Sequence, residues 1–456
     1  MAGIGFELRK LLKRDSYLSL LQTYTYAGII SSGPWVLSII AVLIIGIISV
    51  PFVIPAVLIS QFQVAITYLI ALSLIYTGFV QLAFTRYTAD RIFEKEHFRL
   101  LPNMNGLLCL VTIVGGVVSF PLAILLFPNT SLVFRLLFAS TFVTLSCVWI
   151  AAIMLSGLKA YKAILLNFAI GYGTVLLLTI FLRGWKLEGL MLSFLIGQFI
   201  LLKGMLLVIF RNYPSRCFVE FDFLRPNRVH ASLILTGFFY NLAIWADKFV
   251  FWFHPYTGTN VIGPLNASEI YDLPIFLAYL SILPGMAVFL VRMETDFVEY
   301  YDRYYDAVRE GGSLSYIQSM KDEMVRMARE GIYDIIKVQA AATIAVFLMG
   351  RTLLTMAGIG VVYLPLLYID VVGVGLQVVF LGIINIYLYL DRRGRALFLT
   401  GLFALLNLLF SIVSIYLGPY FYGYGFAGSL CVTILCGMFL LDRDLERLEY
   451  KTFMLQ

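Results

Sequence analysis

Twelve apolar stretches, each long enough to cross a lipid bilayer, alternate with short polar connections along this chain of 456 residues. In hydrocarbon a backbone must satisfy its own hydrogen bonds, so repeated apolar segments of this length form helices. The sequence therefore predicts an all-α polytopic membrane protein with about 12 transmembrane helices. The predicted spans are 24–49, 62–84, 105–127, 132–155, 164–182, 187–210, 231–252, 268–291, 335–358, 361–390, 396–417 and 424–441.

Basic residues are distributed unequally between the two sides of these spans. The N-terminus and alternate connections carry 27 of the 33 Lys and Arg, the opposite side carries four, and Lys203 and Lys248 lie within spans. In membrane proteins the cytoplasmic connections carry the excess of Lys and Arg. Both termini and the 292–334 segment are therefore predicted to be cytoplasmic.

Composition narrows the classes of function. Hydrophobic residues make up 61% of the chain and charged residues 13%, with a mean hydropathy of +0.90, whereas soluble domains average about 25% charged residues. The longest polar interval, about 292–334, is too short for an independent catalytic core, so we expect a protein that is not an enzyme. Because the net charge of +6 resides on the cytoplasmic connections, nucleic acid is not an expected partner.

Cysteine and histidine give no sign of a metal site or of a cofactor. The five cysteines include no pair separated by two residues, and the three histidines are scattered along the chain. The sequence therefore predicts neither a disulfide framework nor a zinc site.

Faint internal repeats indicate two halves. Residues 27–33 of the first span correspond to 231–237 of the seventh, and Leu-Leu-Asn recurs at 165–167 and 405–407. Such repeats are typical of transporters built from two halves around a central cavity. The predicted organisation is an interfacial amphipathic helix at 1–23, a six-helix half at 24–210, a cytoplasmic linker at 211–230, a second six-helix half at 231–441 with a cytoplasmic helical insertion at 292–334, and a cytoplasmic tail at 442–456.

Charged residues inside spans are the strongest functional candidates, because an ionisable group in the bilayer is costly unless it faces a cavity or a partner. Asp247 and Lys248 are adjacent in the seventh span, and Asp370 lies near the middle of the tenth. Adjacent residues point about 100° apart on a helix, so we expect Asp247 and Lys248 to have separate partners. Two interpretations stay open: a substrate path or ion-coupling site, and a buried structural pair.

Neutral polar and small residues on the first and seventh spans are predicted to face the central cavity. Ser32-Gly33-Pro34 and Gly237 suit bent helices, since proline removes a backbone donor and glycine lacks a side chain. The alternative is ordinary helix kinks and hydrogen bonds between helices. The transport-path candidates are Ser31, Ser32, Gly33, Pro34, Thr236, Gly237, Tyr240, Asn241, Asp247, Lys248, Asp272, Asp370 and Asn407.

The interval 292–337 predicts two cytoplasmic helices, each with an apolar stripe. The first ends at Gly311-Gly312, and the second begins at Ser313 or Ser315. Two roles fit these stripes equally: packing against the protein's own cytoplasmic face, and docking of a cytosolic partner. The partner-docking candidates are Phe297, Tyr301, Tyr304, Leu314, Ile317, Met320, Met324 and Met327.

Eight short motifs distributed over the whole chain carry a resemblance to a known family. They are MAGIGFELRKLL at 1–12, ISSGPW at 30–35, GFFYN at 237–241, IWADK at 244–248, YDLPIF at 271–276, PGMA at 284–287, ETDF at 294–297 and LDRR at 390–393. Together they resemble the family of inner-membrane transporters of Pel exopolysaccharide, within the multidrug, lipid-linked oligosaccharide and polysaccharide exporter superfamily.

This resemblance implies a function and a set of partners. The implied function is transfer of a polymer rich in N-acetylgalactosamine from a cytoplasmic glycosyltransferase to the periplasm, supporting biofilm matrix formation. The implied partners are that glycosyltransferase and two other inner-membrane proteins of the same operon, one of which senses cyclic di-GMP. No catalytic residues are implied.

Two other functions are compatible with the residues themselves. A cation- or proton-coupled antiporter of small molecules would use Asp247 and Asp370 as coupling sites. A membrane scaffold without transport activity would anchor a cytoplasmic synthase through the 292–337 segment.

Overall fold

The computed structural model describes residues 57–157, 161–213, 215, 217–226 and 228–454, together with isolated positions between 27 and 55. The predicted interfacial helix at 1–23 and most of the predicted first span at 24–49 lie outside the described residues. So do four of the transport-path candidates, namely Ser31, Ser32, Gly33 and Pro34.

Long helices make up most of the described chain, and eleven helical segments in it are long and apolar enough to cross a membrane. They confirm the predicted membrane fold for every span but the first. The elements are α1 (Val57–Phe93), α2 (Leu100–Leu126), α3 (Leu132–Gly157), α4 (Tyr161–Leu182), α5 (Lys186–Asn212), α6 (Ala231–Phe253), β1 (Thr259–Ile262), β2 (Leu265–Ala267), α7 (Glu269–Tyr279), α8 (Leu283–Val291), α9 (Val298–Arg309), α10 (Leu314–Met356), α11 (Leu364–Tyr389), α12 (Arg393–Leu417), α13 (Tyr424–Glu446) and α14 (Leu448–Met454).

Apolar side chains cover much of the outer surface of these helices, the inverse of a soluble protein. On α2, Ile113, Val117 and Leu125 have 58%, 69% and 73% of their surface exposed. Contiguous apolar surface of this kind is unfavourable in water and favourable in lipid hydrocarbon. The chain is therefore a multi-pass membrane protein.

The chain forms two compact units. From residue 57 onward, the first unit comprises the described residues of 57–245 and 251–268, and the second comprises 246–250 and 269–454. In the first unit, α5 packs against α3 and α4, and α3 packs against α1 and α2. In the second unit, α13 packs against α11 and α12, whereas α10 packs against α8, α9 and α11. The predicted division of the halves at 211–230 stays a prediction.

The predicted eighth span is not one regular helix. A 3₁₀ turn at Leu280–Ile282 separates α7 from α8, and Pro284 stands in the first turn of α8. Since proline has no backbone N–H, it is accommodated where a helix restarts. A π-helical segment, Arg292–Phe297, then joins α8 to α9. The eighth span and the first insertion helix are therefore one broken series of helical segments.

The insertion extends two transmembrane helices and does not form a separate domain. Gly311, with φ of +70°, closes the turn between α9 and α10. Ser313 caps α10, because its hydroxyl oxygen accepts a hydrogen bond from the backbone N–H of Tyr316. This cap confirms one of the two predicted starts of the second helix. From there α10 continues without interruption through the predicted ninth span.

A two-stranded antiparallel hairpin, β1–β2, was not predicted by the sequence analysis. It turns at Gly263, whose φ of +54° suits glycine. The side-chain amide of Gln61 donates to the carbonyl of Val261 at 3.2 Å, and the hydroxyl of Tyr68 donates to the carbonyl of Asn266 at 2.9 Å. These bonds attach the hairpin to α1 within the first unit.

Candidate functional site

The second unit contains a buried charged pair at Asp247 and Lys248 on α6. The exposed fraction of Asp247 is 0% and that of Lys248 is 1%. The ammonium Nζ of Lys248 lies 3.1 Å from Oδ2 of Asp247, so the flexible lysine stem reaches back to the adjacent carboxylate. The two residues were expected to have separate partners, whereas they pair with each other. The pairing is favoured because a charge left unpaired in the interior is costly.

Asp247 also has partners from two other helices. The hydroxyl of Tyr271 on α7 donates to Oδ2 at 2.6 Å, and the side-chain amide of Asn407 on α12 donates to Oδ1 at 3.2 Å. The hydroxyl of Ser411 donates in turn to Oδ1 of Asn407 at 3.2 Å. One ammonium and two neutral donors therefore surround this carboxylate.

Lys248 is enclosed by aromatic rings. Its ammonium lies 3.4 Å from the hydroxyl of Tyr279 and 5.2 Å from the ring centroids of both Tyr279 and Phe426. At such distances a cation is attracted by the negative face of the ring. Phe426 is seated against Gly373 of α11, where a Cβ would lie 2.6 Å from its ring. The ammonium thus occupies a cage of one carboxylate and two aromatic side chains.

Asp370 on α11 belongs to the same cluster but is bonded differently. Its exposed fraction is 0%, and within the described residues neither carboxylate oxygen has a hydrogen-bond partner. It interacts electrostatically with Asp247 and Lys248. Gly423 adjoins it: a Cβ there would lie 2.7 Å from Oδ1 of Asp370, and φ at Gly423 is +83°. The cluster therefore contains two carboxylates and one ammonium, with Asp370 as the unpartnered acid.

Four other transport-path candidates on α6 lie in the first unit, namely Thr236, Gly237, Tyr240 and Asn241. A Cβ on Gly237 would overlap the carbonyl oxygen of Gly78 on α1. Asn241 donates its side-chain amide to the carbonyl of Gly237 at 3.0 Å, and the buried hydroxyl of Thr236 donates to the carbonyl of Ser232. Small residues that let two backbones approach closely are typical of packed membrane helices. A place for these residues on a transport path stays a prediction.

The transport-path candidates Tyr240 and Asp272 are both half-buried. Tyr240 lies on α6, one turn beyond the glycine contact. Asp272 lies in the first turn of α7, where a carboxylate is stabilised by the helix dipole.

Four predicted candidates, Asp247, Lys248, Asp370 and Asn407, come together in the fold. The aromatic members of the cluster were not predicted. Tyr271 and Tyr279 are the two tyrosines of α7, separated by about two helical turns. Two hydroxyls so spaced in an apolar segment were the available signal, because a buried tyrosine hydroxyl usually has a hydrogen-bond partner.

The two apolar stripes of the 292–337 segment are largely covered by the protein itself. Tyr304 is buried and its hydroxyl lies 3.4 Å from that of Thr452 on α14, while Ile317 and Met324 of α10 are also buried. The remaining candidates range from buried to exposed: Phe297 is buried, Tyr301, Met320 and Met327 are half-buried, and Leu314 is exposed. These contacts favour self-packing for most of the stripe and leave its tip, near Leu314, available to a partner.

Comparison with known proteins identifies the family and the fold. A model of the PelG family, described as exopolysaccharide exporters (EPS-E), matches residues 1–453. None of the curated proteins compared with the chain matches it.

Among solved structures, a MOP superfamily transporter from Pyrococcus furiosus is similar with a TM-score of 0.63 at 14% identity, covering 94% of this chain and 96% of that one. An outward-facing multidrug resistance MATE family transporter gives a TM-score of 0.64 at 13% identity, covering 98% and 99% of the two chains. An inward-facing structure described in the same terms gives 0.57 at 13% identity, with 93% and 96% covered. The fold is that of the MOP superfamily, and the chain belongs to the PelG family of exopolysaccharide exporters.

Proposed function

We propose that this protein exports a Pel-type exopolysaccharide, a polymer rich in N-acetylgalactosamine, across the bacterial inner membrane to the periplasm, where the polymer supports biofilm matrix formation. The observation that carries the proposal is the family match over residues 1–453. The MOP transporter fold supports it, and the motifs distributed over the chain support the choice of polymer.

A polymer of N-acetylated sugars is neutral, so its path needs hydroxyl, amide and aromatic surfaces more than it needs charge. In the second unit the charge of Asp247 is met by the protein's own ammonium and by two neutral donors. That arrangement supports a structural role for the pair, which joins α6 to α7 and α12. The neutral groups of the first and seventh spans remain the proposed lining of the path.

The export proposal is tested by deletion and complementation. Cells that lack the chain should release little polymer reactive with a lectin specific for N-acetylgalactosamine, and the wild-type chain should restore release. Immunoblots of the membrane fraction measure the amount of exporter, so that a change in polymer release can be told apart from a change in protein level. Unchanged release after deletion, or a released polymer without N-acetylgalactosamine, would contradict the proposal.

The proposed orientation places both termini and the α9–α10 hairpin in the cytoplasm. Support comes from the 27 of 33 Lys and Arg on that side. In a chain whose five native cysteines are replaced, Ser313→Cys and Thr259→Cys put single thiols at two exposed positions. A membrane-impermeant reagent applied to spheroplasts should label position 259 and spare position 313. The opposite labelling would invert the topology.

The proposed partners are a cytoplasmic glycosyltransferase and two other inner-membrane proteins, one a cyclic di-GMP sensor. We place the docking surface at the exposed tip of the hairpin, at Leu314 and Tyr316. Leu314→Asp with Tyr316→Asp should reduce co-purification of the glycosyltransferase while the exporter stays in the membrane. Gln318→Asp, an exposed polar position one turn away, is the matched control. Equal retention in both variants would remove the tip from the interface.

Asp370 favours one second candidate function, transport coupled to a cation or proton. A fully buried carboxylate without a hydrogen-bond partner in the described residues is a group that can bind a cation or proton without breaking an existing bond. Asp370→Asn separates the candidates. Loss of polymer release with a normal protein level would favour coupling at this site, and retained release would favour export that does not use Asp370.

A further inference from the structure

A groove of about 680 Å³ lies where α12 begins, outside the cluster around Asp247. The groove is lined by three arginines, two aspartates, a glycine and a phenylalanine, namely Arg392, Arg393, Arg395, Asp391, Asp444, Gly394 and Phe398. Its volume is within the range of ordinary small-ligand sites. Because the predicted eleventh span starts at residue 396, the three arginines are at the membrane surface and Phe398 is just inside the bilayer.

The arginines of this groove keep unused hydrogen-bond donors. Arg393 donates through Nε and Nη2 to the carboxylate of Asp391, at 2.6 and 2.8 Å, and Arg395 donates through Nε to Asp444 at 3.2 Å. A guanidinium has five N–H donors, so each paired arginine retains several. The guanidinium of Arg392 takes part in no ion pair within the described part of the chain. Three cations against two carboxylates leave the groove with a net positive charge.

The start of α12 adds to this preference for an anion. Its N-cap residue, Arg392, makes no side-chain cap, and the first turn holds no acidic residue. The free backbone N–H groups and the helix dipole at such a position favour an anion and disfavour the arginines that stand there. A Cβ added to Gly394 would meet nothing within 4 Å, so the groove is open beside these donors.

Phe398 supplies an apolar surface one turn deeper than the arginines, with half of its surface exposed. Guanidinium groups at the surface followed by an aromatic ring inside match the order of groups in a phospholipid, with its phosphate at the surface and its glycerol and acyl chains below. Basic pockets between transmembrane helices on the cytoplasmic side bind anionic headgroups in other membrane proteins.

We propose that this groove binds a phosphate group at the membrane surface, held by Arg392 and by the free donors of Arg393 and Arg395. The phosphate can belong to an anionic lipid headgroup or to a soluble diphosphate. The proposal does not rest on polymer export, and it assigns the LDRR motif at 390–393 a role that the transport path leaves unexplained.

Two substitutions test the site in the full-length protein purified in detergent. Arg392→Gln removes the guanidinium that has no ion pair among the described residues, and Gly394→Glu places a carboxylate in the open space beside it. Binding is measured by thermal-shift titration with phosphatidylglycerol, with sodium pyrophosphate and, as the reference lipid, with phosphatidylcholine. Each variant should bind whichever of phosphatidylglycerol and pyrophosphate the groove accepts about tenfold more weakly than the wild type does. A weakening of that size is expected from the loss of a charge-assisted hydrogen bond. Arg326→Gln and Gln318→Glu make the same charge changes on exposed parts of α10 and should leave the titration unchanged.

The outcomes distinguish the source of the phosphate. If the groove variants bind phosphatidylglycerol more weakly but pyrophosphate as well as the wild type does, the phosphate belongs to a lipid headgroup. If they bind only pyrophosphate more weakly, it belongs to a soluble diphosphate. If the control variants weaken binding as much as the groove variants, the attraction is general and the proposal is wrong. It is also wrong if neither phosphate probe stabilises the wild type more than phosphatidylcholine does. Polymer release by the same variants is a separate measurement, so failure here leaves the proposed export untouched.

Discussion

Two buried aspartates, one in each unit, have their negative charge balanced by different sets of partners. Asp222 lies in the predicted cytoplasmic linker of the first unit and Asp247 lies within a span of the second. Each accepts a hydrogen bond from a tyrosine: Tyr87 at 3.2 Å from Asp222, and Tyr271 at 2.6 Å from Asp247. The difference is in the cations that surround them.

Asp222 has three arginines around it, whereas Asp247 has one lysine. Arg99, Arg225 and Arg228 pair with Asp222, and 31%, 67% and 27% of their side-chain surface is exposed. Each arginine therefore keeps part of its hydration. Inside the bilayer every additional charge would lose its water, so neutral donors complete the shell of Asp247. The surroundings of a carboxylate, a hydrated linker or the interior of a span, therefore set which partners it can have.

The largest expected effect is that of Asp247→Ala. It leaves the Lys248 ammonium buried without its carboxylate, and losing one partner of a buried ion pair destabilises a protein by about 3–5 kcal/mol. We expect a large fall in Tm in detergent and a reduced level in the membrane. The double variant Asp247→Ala with Lys248→Met removes both charges and should recover much of that loss.

Asp442→Ala is the matched control for this prediction. Asp442 pairs with Arg329 at an exposed position, so its loss should change the free energy of unfolding by at most about 1 kcal/mol. An Asp247→Ala variant as stable as the Asp442→Ala variant would show that the pair is not an essential part of the fold.

An intermediate effect is expected for Asp222→Ala. Its three arginines can return to water, so the free energy of unfolding should fall less than in Asp247→Ala. The loss should also shrink when salt is raised from about 0.1 M to about 1 M, since screening over roughly 3 Å weakens exposed ion pairs in the wild type. Asp247→Ala should show no such dependence on salt. Equal salt dependence in the two variants would contradict the comparison.

The smallest effect on stability is expected for Asp370→Asn. Within the described residues this carboxylate has no hydrogen bond to lose, and the amide is easier to bury than a charge. The Tm should stay close to that of the wild type or rise. A fall as large as that of Asp247→Ala would mean that Asp370 is held by a bond that its present geometry does not contain.

Much of the fold follows from the sequence because hydropathy acts locally. Each span after the first was predicted from its own apolar residues, and the start of α10 was narrowed to Ser313 or Ser315 from the immediate neighbours, of which Ser313 is the cap. The continuity of α10 was not predicted. Residues 314–334 are polar enough to resemble a separate helix, whereas the backbone continues as one helix from Leu314 to Met356.

The contents of the site were predicted only in part. Asp247, Lys248 and Asp370 stand out because charge is rare in a span, but their neighbours depend on which helices meet in space. Phe426 is indistinguishable in sequence from the many other aromatic residues of the chain. Likewise Gly237 was expected to permit bending, whereas its contact with Gly78 shows a close approach of two helices. Long-range pairing of this kind leaves no local pattern.

The unbroken helix α10 has a mechanical consequence. Its 43 residues include no proline and amount to about 64 Å of continuous helix, roughly twice the thickness of the hydrocarbon core. In the proposed orientation, residues 314–334 of this helix extend into the cytoplasm and residues 335–356 cross the bilayer. If this helix pivots within the bilayer, a partner that tilts it at Leu314 would displace Met356 in the opposite direction, so the helix would transmit motion between the two faces of the membrane.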